Sequence, residues 1–190
     1  MNSFRLTSTT EQDHQLQAQR LEHDLSRIAA GDPEGLRALY EETRGSVYGF
    51  ALSILKSVQD AEDVLQETYI RIHGAAGRYQ PQGRPLAWIL TITRNLAMMK
   101  LRERGRRADP EEFQWEQFSL PDNAQGVEDR LTLLALLQNL SDEERQIVVL
   151  HAVSGFKHRE IAALLQRPLP TVLSKYHRAM KKLRTMLEVE

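Results

Sequence analysis

Eight Lys and Arg side chains stand between Lys157 and Arg184 against a single acid, Glu160. That density of cations suits phosphate neutralisation, and the local pattern is that of a helix-turn-helix, with one helix over 157–165, a short turn and a second helix over 170–187. On the second helix Val172, Tyr176, Ala179 and Leu183 recur at intervals of four, three and four. This spacing predicts a buried stripe shared with Ile161, Ala162 and Leu165, which makes Tyr176 a core residue. The opposite face presents Thr171, Ser174, Lys175, Arg178, Lys181 and Lys182. Short hydroxyls and one long cation near the helix start suit base edges, while the later cations reach only the backbone. His177, Pro170, Lys157 and Arg159 complete this candidate duplex-binding set.

A second cluster lies on 85–106. At helical spacing Trp88, Thr91, Asn95 and Arg102 fall in one angular sector, beside Arg94. A flat aromatic, an amide and cations are what unpaired bases require: a stacking platform, a two-way hydrogen bonder and phosphate neutralisation. The alternative for Trp88 is a core anchor. Tyr79, Gln80, Gln82 and Arg84, from the polar loop 79–84, sit beside the strip. A third cluster occupies 60–73, where Ala61, Leu65, Thr68 and Ile72 turn inward and Glu62, Asp63, Gln66, Glu67 and Ile70 outward. Carboxylates, an amide and an exposed isoleucine describe a docking face for a partner helix, with Asp60 at its start.

The chemistries of catalysis are missing. There is no Gly-rich phosphate loop, no Gly-x-Ser-x-Gly and no His-Glu-x-x-His, so no catalytic or metal-ligating residue is assigned and no cofactor is expected. The sequence holds one Glu-x-x-His, Glu11 to His14, whereas a helical carboxylate metal centre needs a pair. With no cysteine, thiolate zinc sites and disulfides are excluded and a cytoplasmic location is expected. No apolar run approaches the roughly 18 residues that span a bilayer, so membrane insertion is not expected.

The elements that must position these clusters are helices. Strand patterns are nearly absent from the 190 residues, while helical periodicity with recognisable caps recurs, so the fold class is all-α. Gly31-Asp32-Pro33-Glu34 closes one helix and caps the next. A further helix starts at Asp60, capped by its side chain, and stops at Gly74. A long basic one runs from Pro85 to about Gly105, and Ser141 to Glu144 forms a capping box for a helix ending at Gly155. Leu131, Leu134, Leu137 and Leu140 mark a leucine-rich helix before it.

Charge is sorted along the sequence. Residues 1–73 carry 7 basic and 12 acidic side chains, 84–107 carry 7 basic and one acid, and 108–129 carry 7 acids with no Lys or Arg. Two basic surfaces joined by a segment that avoids polyanions is the reading. It gives a polar extension over 1–24, a small helical bundle over 25–107, a flexible acidic linker over 108–126 and a helix-turn-helix domain over 127–190. Phe113, Trp115 and Phe118 in the linker either dock into a partner or pack back on their own domain.

Asp60 to Tyr69, Pro85 to Leu90 with Ile92 to Asn95, Glu160-Ile161-Ala162, Thr171-Val172 and His177-Arg178-Ala179 together resemble the bacterial extracytoplasmic-function sigma factors of RNA polymerase, over roughly 25–187. The resemblance implies that 60–73 docks on the clamp helices of the polymerase's largest subunit. It implies that Asn95, Trp88 and the loop 79–84 open and hold the downstream promoter element, with one unstacked base in a pocket. It further implies a C-terminal domain that contacts the polymerase flap and reads upstream promoter DNA as duplex, a linker that threads the polymerase cleft, and an anti-sigma factor as inhibitor. The sequence departs from the family pattern at Met99, Gln166, Pro170, Leu173 and Lys175. A helix-turn-helix regulator with an N-terminal dimerisation or sensing domain, and a helical carboxylate metalloprotein, are the rival classes.

Overall fold

A computed structural model describes the backbone of residues 3–106 and 137–187, with side chains over 12–105 and 137–186. Among these residues there are seven α-helices, one 3-10 turn and no strand. The helices are α1 (Ser3–Ala29), α2 (Pro33–Leu55), α3 (Val58–Ala75), α4 (Pro85–Arg106), α5 (Asp142–Ala152), α6 (His158–Leu165) and α7 (Leu169–Leu187), with the 3-10 turn at Ala76–Arg78 after α3. The acidic segment 108–126 with Phe113, Trp115 and Phe118, and the leucines Leu131 and Leu134, lie outside the described residues. Leu137 and Leu140 lie within them and are buried.

Local chemistry sets most helix ends. Asp32 Oδ1 accepts from the Glu34 N–H at 2.9 Å, and Gly31 precedes it at φ +84°, a left-handed conformation that a side chain disfavours. At α5 the Ser141 hydroxyl accepts from the Glu144 N–H at 3.4 Å, and the Glu144 carboxylate accepts from the Ser141 N–H at 2.9 Å. Asp60 is not the cap of α3. Ser57, three residues earlier, accepts from the Asp60 N–H at 3.3 Å, which leaves the Asp60 carboxylate available for a tertiary partner. The remaining ends shift by a few residues: α3 runs to Ala75, α5 stops at Ala152, and α7 begins at Leu169.

The polar N-terminal stretch is helical. Leu21, Leu25 and Ile28, at intervals of four and three, are all buried, so the expected division at residue 24 falls inside α1. Close approach to α2 depends on Gly35, where an added Cβ would meet the Arg27 Cβ at 2.7 Å and the Asp24 carbonyl at 3.0 Å. Arg27 closes the joint from outside, donating to Asp32 at 2.8 Å and to Asp24 at 3.3 Å. In the bundle core Phe50, Leu39, Val47, Ala61, Ile72, Ile89 and Leu90 are fully or almost fully buried. Each large side chain of this kind contributes about 2 kcal/mol through burial. Val64 and Tyr69 also point inward, and the Tyr69 hydroxyl bonds Thr43 Oγ1 at 2.7 Å.

The core does not stop at the N-terminal bundle. Ile147, Leu150, Phe156, Ile161, Leu165 and Val172 join the same apolar cluster, while Leu137, Leu140, Val148, Val149 and Ala179 form a smaller one. Helix α5 packs on α2 and α6 on α4. At the first seam Lys56 pairs with Asp142 at 2.6 Å. Arg145, only 4% exposed, donates to the carbonyls of Leu137 and Leu140 at 3.0 and 2.9 Å and reaches the Ser53 carbonyl at 3.5 Å. A buried guanidinium is tolerated because backbone oxygens replace the water it loses.

Candidate nucleic-acid interface

The strip expected to meet unpaired bases is assembled from α4 and the loop before it. Gly83, at φ +68°, turns the loop sharply, and the Trp88 N–H donates to the Arg84 carbonyl at 3.2 Å as α4 begins. Trp88 is half-buried against the core, and its ring centroid lies 5.1 Å from that of Tyr79 at an interplanar angle of 56°. Trp88 packs against the core, as its anchor alternative expects, and the rest of its ring remains partly exposed beside Tyr79. Thr91, Asn95 and Arg102 are exposed along the same helix, and Arg94 is half-buried. The Thr91 hydroxyl donates to the Ala87 carbonyl at 2.8 Å. Gln80, Gln82 and Arg84 are exposed around the loop.

The loop is tied to α1. The Tyr79 hydroxyl and the Gly83 N–H both donate to one oxygen of Glu22, at 3.0 and 2.9 Å. Burial, reinforced by this carboxylate, pushes the Tyr79 phenol up to about 12, so it remains a donor at neutral pH. Sequence reasoning missed Glu22 because 57 and 61 residues separate it from its partners.

On α3, Glu62, Asp63, Gln66 and Ile70 are exposed, with Ile70 at 64%. Glu67 is half-buried and pairs with Arg71 at 2.6 Å. Asp60 differs from expectation, since it faces α4 rather than the docking side. It accepts from Arg104 at 3.0 Å and pairs with Lys100 at 3.2 Å. Burial opposes the charge on Lys100, but hydrogen bonds to Asp63 and Asp60 outweigh it and hold the ammonium above its ordinary pKa.

In the helix-turn-helix, α6 ends at Gln166, whose φ of +55° places a side chain where glycine is favoured. The Arg167 N–H closes the turn on the Ala162 carbonyl at 2.9 Å. Val172 and Ala179 of α7 are fully buried and Tyr176 and Leu183 partly so, as the stripe predicts. Pro170, Ser174, His177, Arg178 and Lys181 are exposed, together with Lys157 and Arg159 at the start of the motif. Thr171 is half-buried. Lys175 is half-buried and Lys182 exposed, and both bond acids in the first turn of α5, Lys175 to Glu143 and Lys182 to Glu144, each at 2.7 Å. Glu143 also takes Arg167 at 2.5 Å, and the Lys175 bond first, with Arg167, holds its carboxyl below the usual carboxylate range.

The two candidate DNA faces meet. A groove of about 470 Å³ runs between the Tyr79, Arg84, Trp88 and Thr91 side of the bundle and Glu160, Ala163 and Leu164 of α6. A second, of about 290 Å³, is lined by Arg94 and Met98 of α4 and by Glu143, Thr171 and Lys175 across from them. In this arrangement α6 faces the Trp88–Thr91 end of the strip across the first groove, while Asn95 and Arg102 stay exposed.

Among the described residues, a helical bundle that carries a partly exposed Trp88 on α4 is followed by a helix-turn-helix with exposed cations. Residues 39–107 match the family model for sigma-70 region 2, and residues 130–183 match that for sigma-70, region 4. The chain therefore belongs to the sigma-70 family, in its extracytoplasmic-function group. It is 30% identical to the RNA polymerase sigma factor CarQ of Myxococcus xanthus over 86% of this chain and 95% of that one. It is 27% identical to the extracytoplasmic-function sigma factor SigK of a Mycobacterium species, strain KMS, over 86% and 88%. Among solved structures it is similar to the sigma factor RpoE of Bartonella quintana in complex with the anti-sigma factor NepR, at 25% identity and a TM-score of 0.68, covering 81% of this chain and 97% of that one. The protein is an alternative sigma factor, binding core RNA polymerase and recognising promoter DNA. No helix among the described residues is long and apolar enough to cross a membrane.

Proposed function

We propose a division of labour among three faces. Glu62, Asp63, Gln66, Glu67 and Ile70 dock α3 on the polymerase clamp helices; Asp60 is withdrawn from that set because its carboxylate is turned to Lys100 and Arg104 and is only 18% exposed, whereas Asp63, which also bonds Lys100, stays 57% exposed. Trp88, Thr91, Arg94, Asn95 and Arg102, with the loop 79–84, hold the unpaired downstream element. Lys157, Arg159, Pro170, Thr171, Ser174, Lys175, His177, Arg178, Lys181 and Lys182 form the upstream duplex face. The working units are 25–107, extended by the buried part of α1, and 127–190, which also meets the polymerase flap. The protein works in the cytoplasm and has no catalytic chemistry of its own.

The observation that carries this reading is the half-buried Trp88 beside exposed Thr91, Asn95 and Arg102, an aromatic platform with an amide and a cation on one helix. Because α6 faces the Trp88–Thr91 end of that platform across a groove, the described arrangement is the idle form, and assembly with polymerase separates α5–α7 from the bundle. An anti-sigma factor acts by holding such a form closed, a role supported by the likeness to RpoE solved with NepR.

Run-off transcription with purified core polymerase, with and without this protein, tests the class. Asn95→Ala tests the strip: polymerase binding is retained and promoter opening falls. Equal loss of both activities would overturn the assignment of Asn95.

A further inference from the structure

Glu22 lies on the part of α1 outside both family-model matches. One of its oxygens accepts from Tyr79 Oη at 3.0 Å and from the Gly83 N–H at 2.9 Å. The two donors stand near opposite ends of the loop 79–84, so a single acceptor fixes the distance across it. Glu22 is itself held in place, because the adjacent Leu21 and nearby Leu25 are each 1% exposed in the bundle core. Tyr79 passes the constraint on, since its ring rests 5.1 Å from Trp88. A carboxylate beside a face that holds DNA opposes binding electrostatically, so what Glu22 can contribute there is its double acceptance and not a contact with phosphate.

We propose that Glu22 is a positioning residue for base recognition, clamping the loop 79–84 and the Tyr79–Trp88 pair in the shape that receives an unpaired base without itself touching DNA. The inference rests on the reading of Trp88, Asn95 and the loop as the single-strand face. An unclamped loop would sample several shapes, so the bound base would meet its pocket only part of the time. Opening would slow, and discrimination against wrong bases would weaken with it.

The test uses the full protein assembled with core polymerase, on a promoter carrying 2-aminopurine in the downstream element. Glu22→Ala is expected to slow opening about tenfold, the loss of two hydrogen bonds to a charged acceptor. It is also expected to shrink the ratio of opening rates between the natural element and single-base variants, with core affinity unchanged. Glu22→Gln keeps the accepting oxygen and is expected to restore most of both. Opening and discrimination at the wild-type level in Glu22→Ala would overturn the proposal. So would slower opening with discrimination intact, because a purely structural role predicts that pattern. Trp88→Ala and Asn95→Ala measured alongside separate the two levels: if they impair opening and Glu22→Ala does not, only the role of Glu22 fails. If all three open normally, the strip and the clamp fall together.

Discussion

Lys175 of α7 is bound to Glu143 of α5, Nζ to Oε2 at 2.7 Å. The first cation of the recognition helix is thus paired with an acid of its own chain, and it must exchange a carboxylate for a phosphate to serve DNA. The exchange is close to balanced, because both partners are anions and both bonds are charge-assisted. Glu143→Gln tips it toward DNA. Affinity for the upstream duplex rises by about threefold to tenfold, and the slope of log affinity against log salt steepens by about one, since one more phosphate is neutralised. Fluorescence anisotropy across a salt series checks this, and an unaltered slope would remove Lys175 from the contact set.

Helix α3 separates its duties by face. Ile70 is 64% exposed, so Ile70→Ser is expected to lower affinity for core polymerase while leaving the melting temperature nearly unchanged. Asp60→Asn does the reverse, loosening the bundle by weakening two ion pairs to α4. The expected stability cost is about 1 kcal/mol, as for partly exposed pairs. Pull-down with core enzyme and thermal unfolding, run on both variants, distinguish the two.

The closed arrangement can be locked, because the natural sequence has no cysteine to interfere. A Cβ added at Gly49 would lie 3.6 Å from Val149 Cγ1, so the two positions face each other in van der Waals contact across the α2–α5 seam. Gly49→Cys with Val149→Cys, oxidised, is expected to lose transcription and to regain it on reduction. Full activity in the oxidised form would show that α2 and α5 need not part.

His158 is expected to make the C-terminal helices less stable in acid. Its ring stacks on His151 at 4.7 Å and meets Tyr176 edge-on at 4.6 Å, and its buried Nε2 has no hydrogen-bond partner. Burial first, then His151 and His177, lower its pKa from 6.5. The unfolded chain therefore takes up a proton at higher pH than the folded chain. Stability is at its full value above about pH 6.5 and is lost as the pH falls toward the depressed folded value. His158→Phe keeps the ring packing and removes the uptake, so its melting temperature varies less with pH between about 7.5 and 5.5. An equal slope in variant and wild type would exclude His158 as the source.

Features governed by neighbouring residues were legible in the sequence. Asp32 and the Ser141–Glu144 box need only a few residues each, and the Val172, Tyr176, Ala179 and Leu183 stripe needs only the helical period. Asp60 misled because an acid early in a helix suits either the cap or the first turn, and Ser57 takes the cap. Leu21, Leu25 and Ile28 carried a readable helical signal that the surrounding polar residues obscured. The remaining differences are tertiary. No local pattern tells Lys175 to choose Glu143, or Glu22 to hold a loop some sixty residues away. Gln166 is a clear case of a departure from family pattern that the fold absorbs. It adopts the left-handed turn at a cost of about 1 kcal/mol relative to glycine.

Phe50 and Ala51 of α2 share one apolar cluster with Ile147 and Leu150 of α5. Separating the two groups of helices wets that seam, and wetting apolar surface raises heat capacity. Calorimetry of holoenzyme assembly would then record two opposing contributions, a decrease from the new subunit interface and an increase from the parted seam. The net value would be less negative than the docking area alone predicts, a thermal trace of the chain unfastening itself as it joins the enzyme.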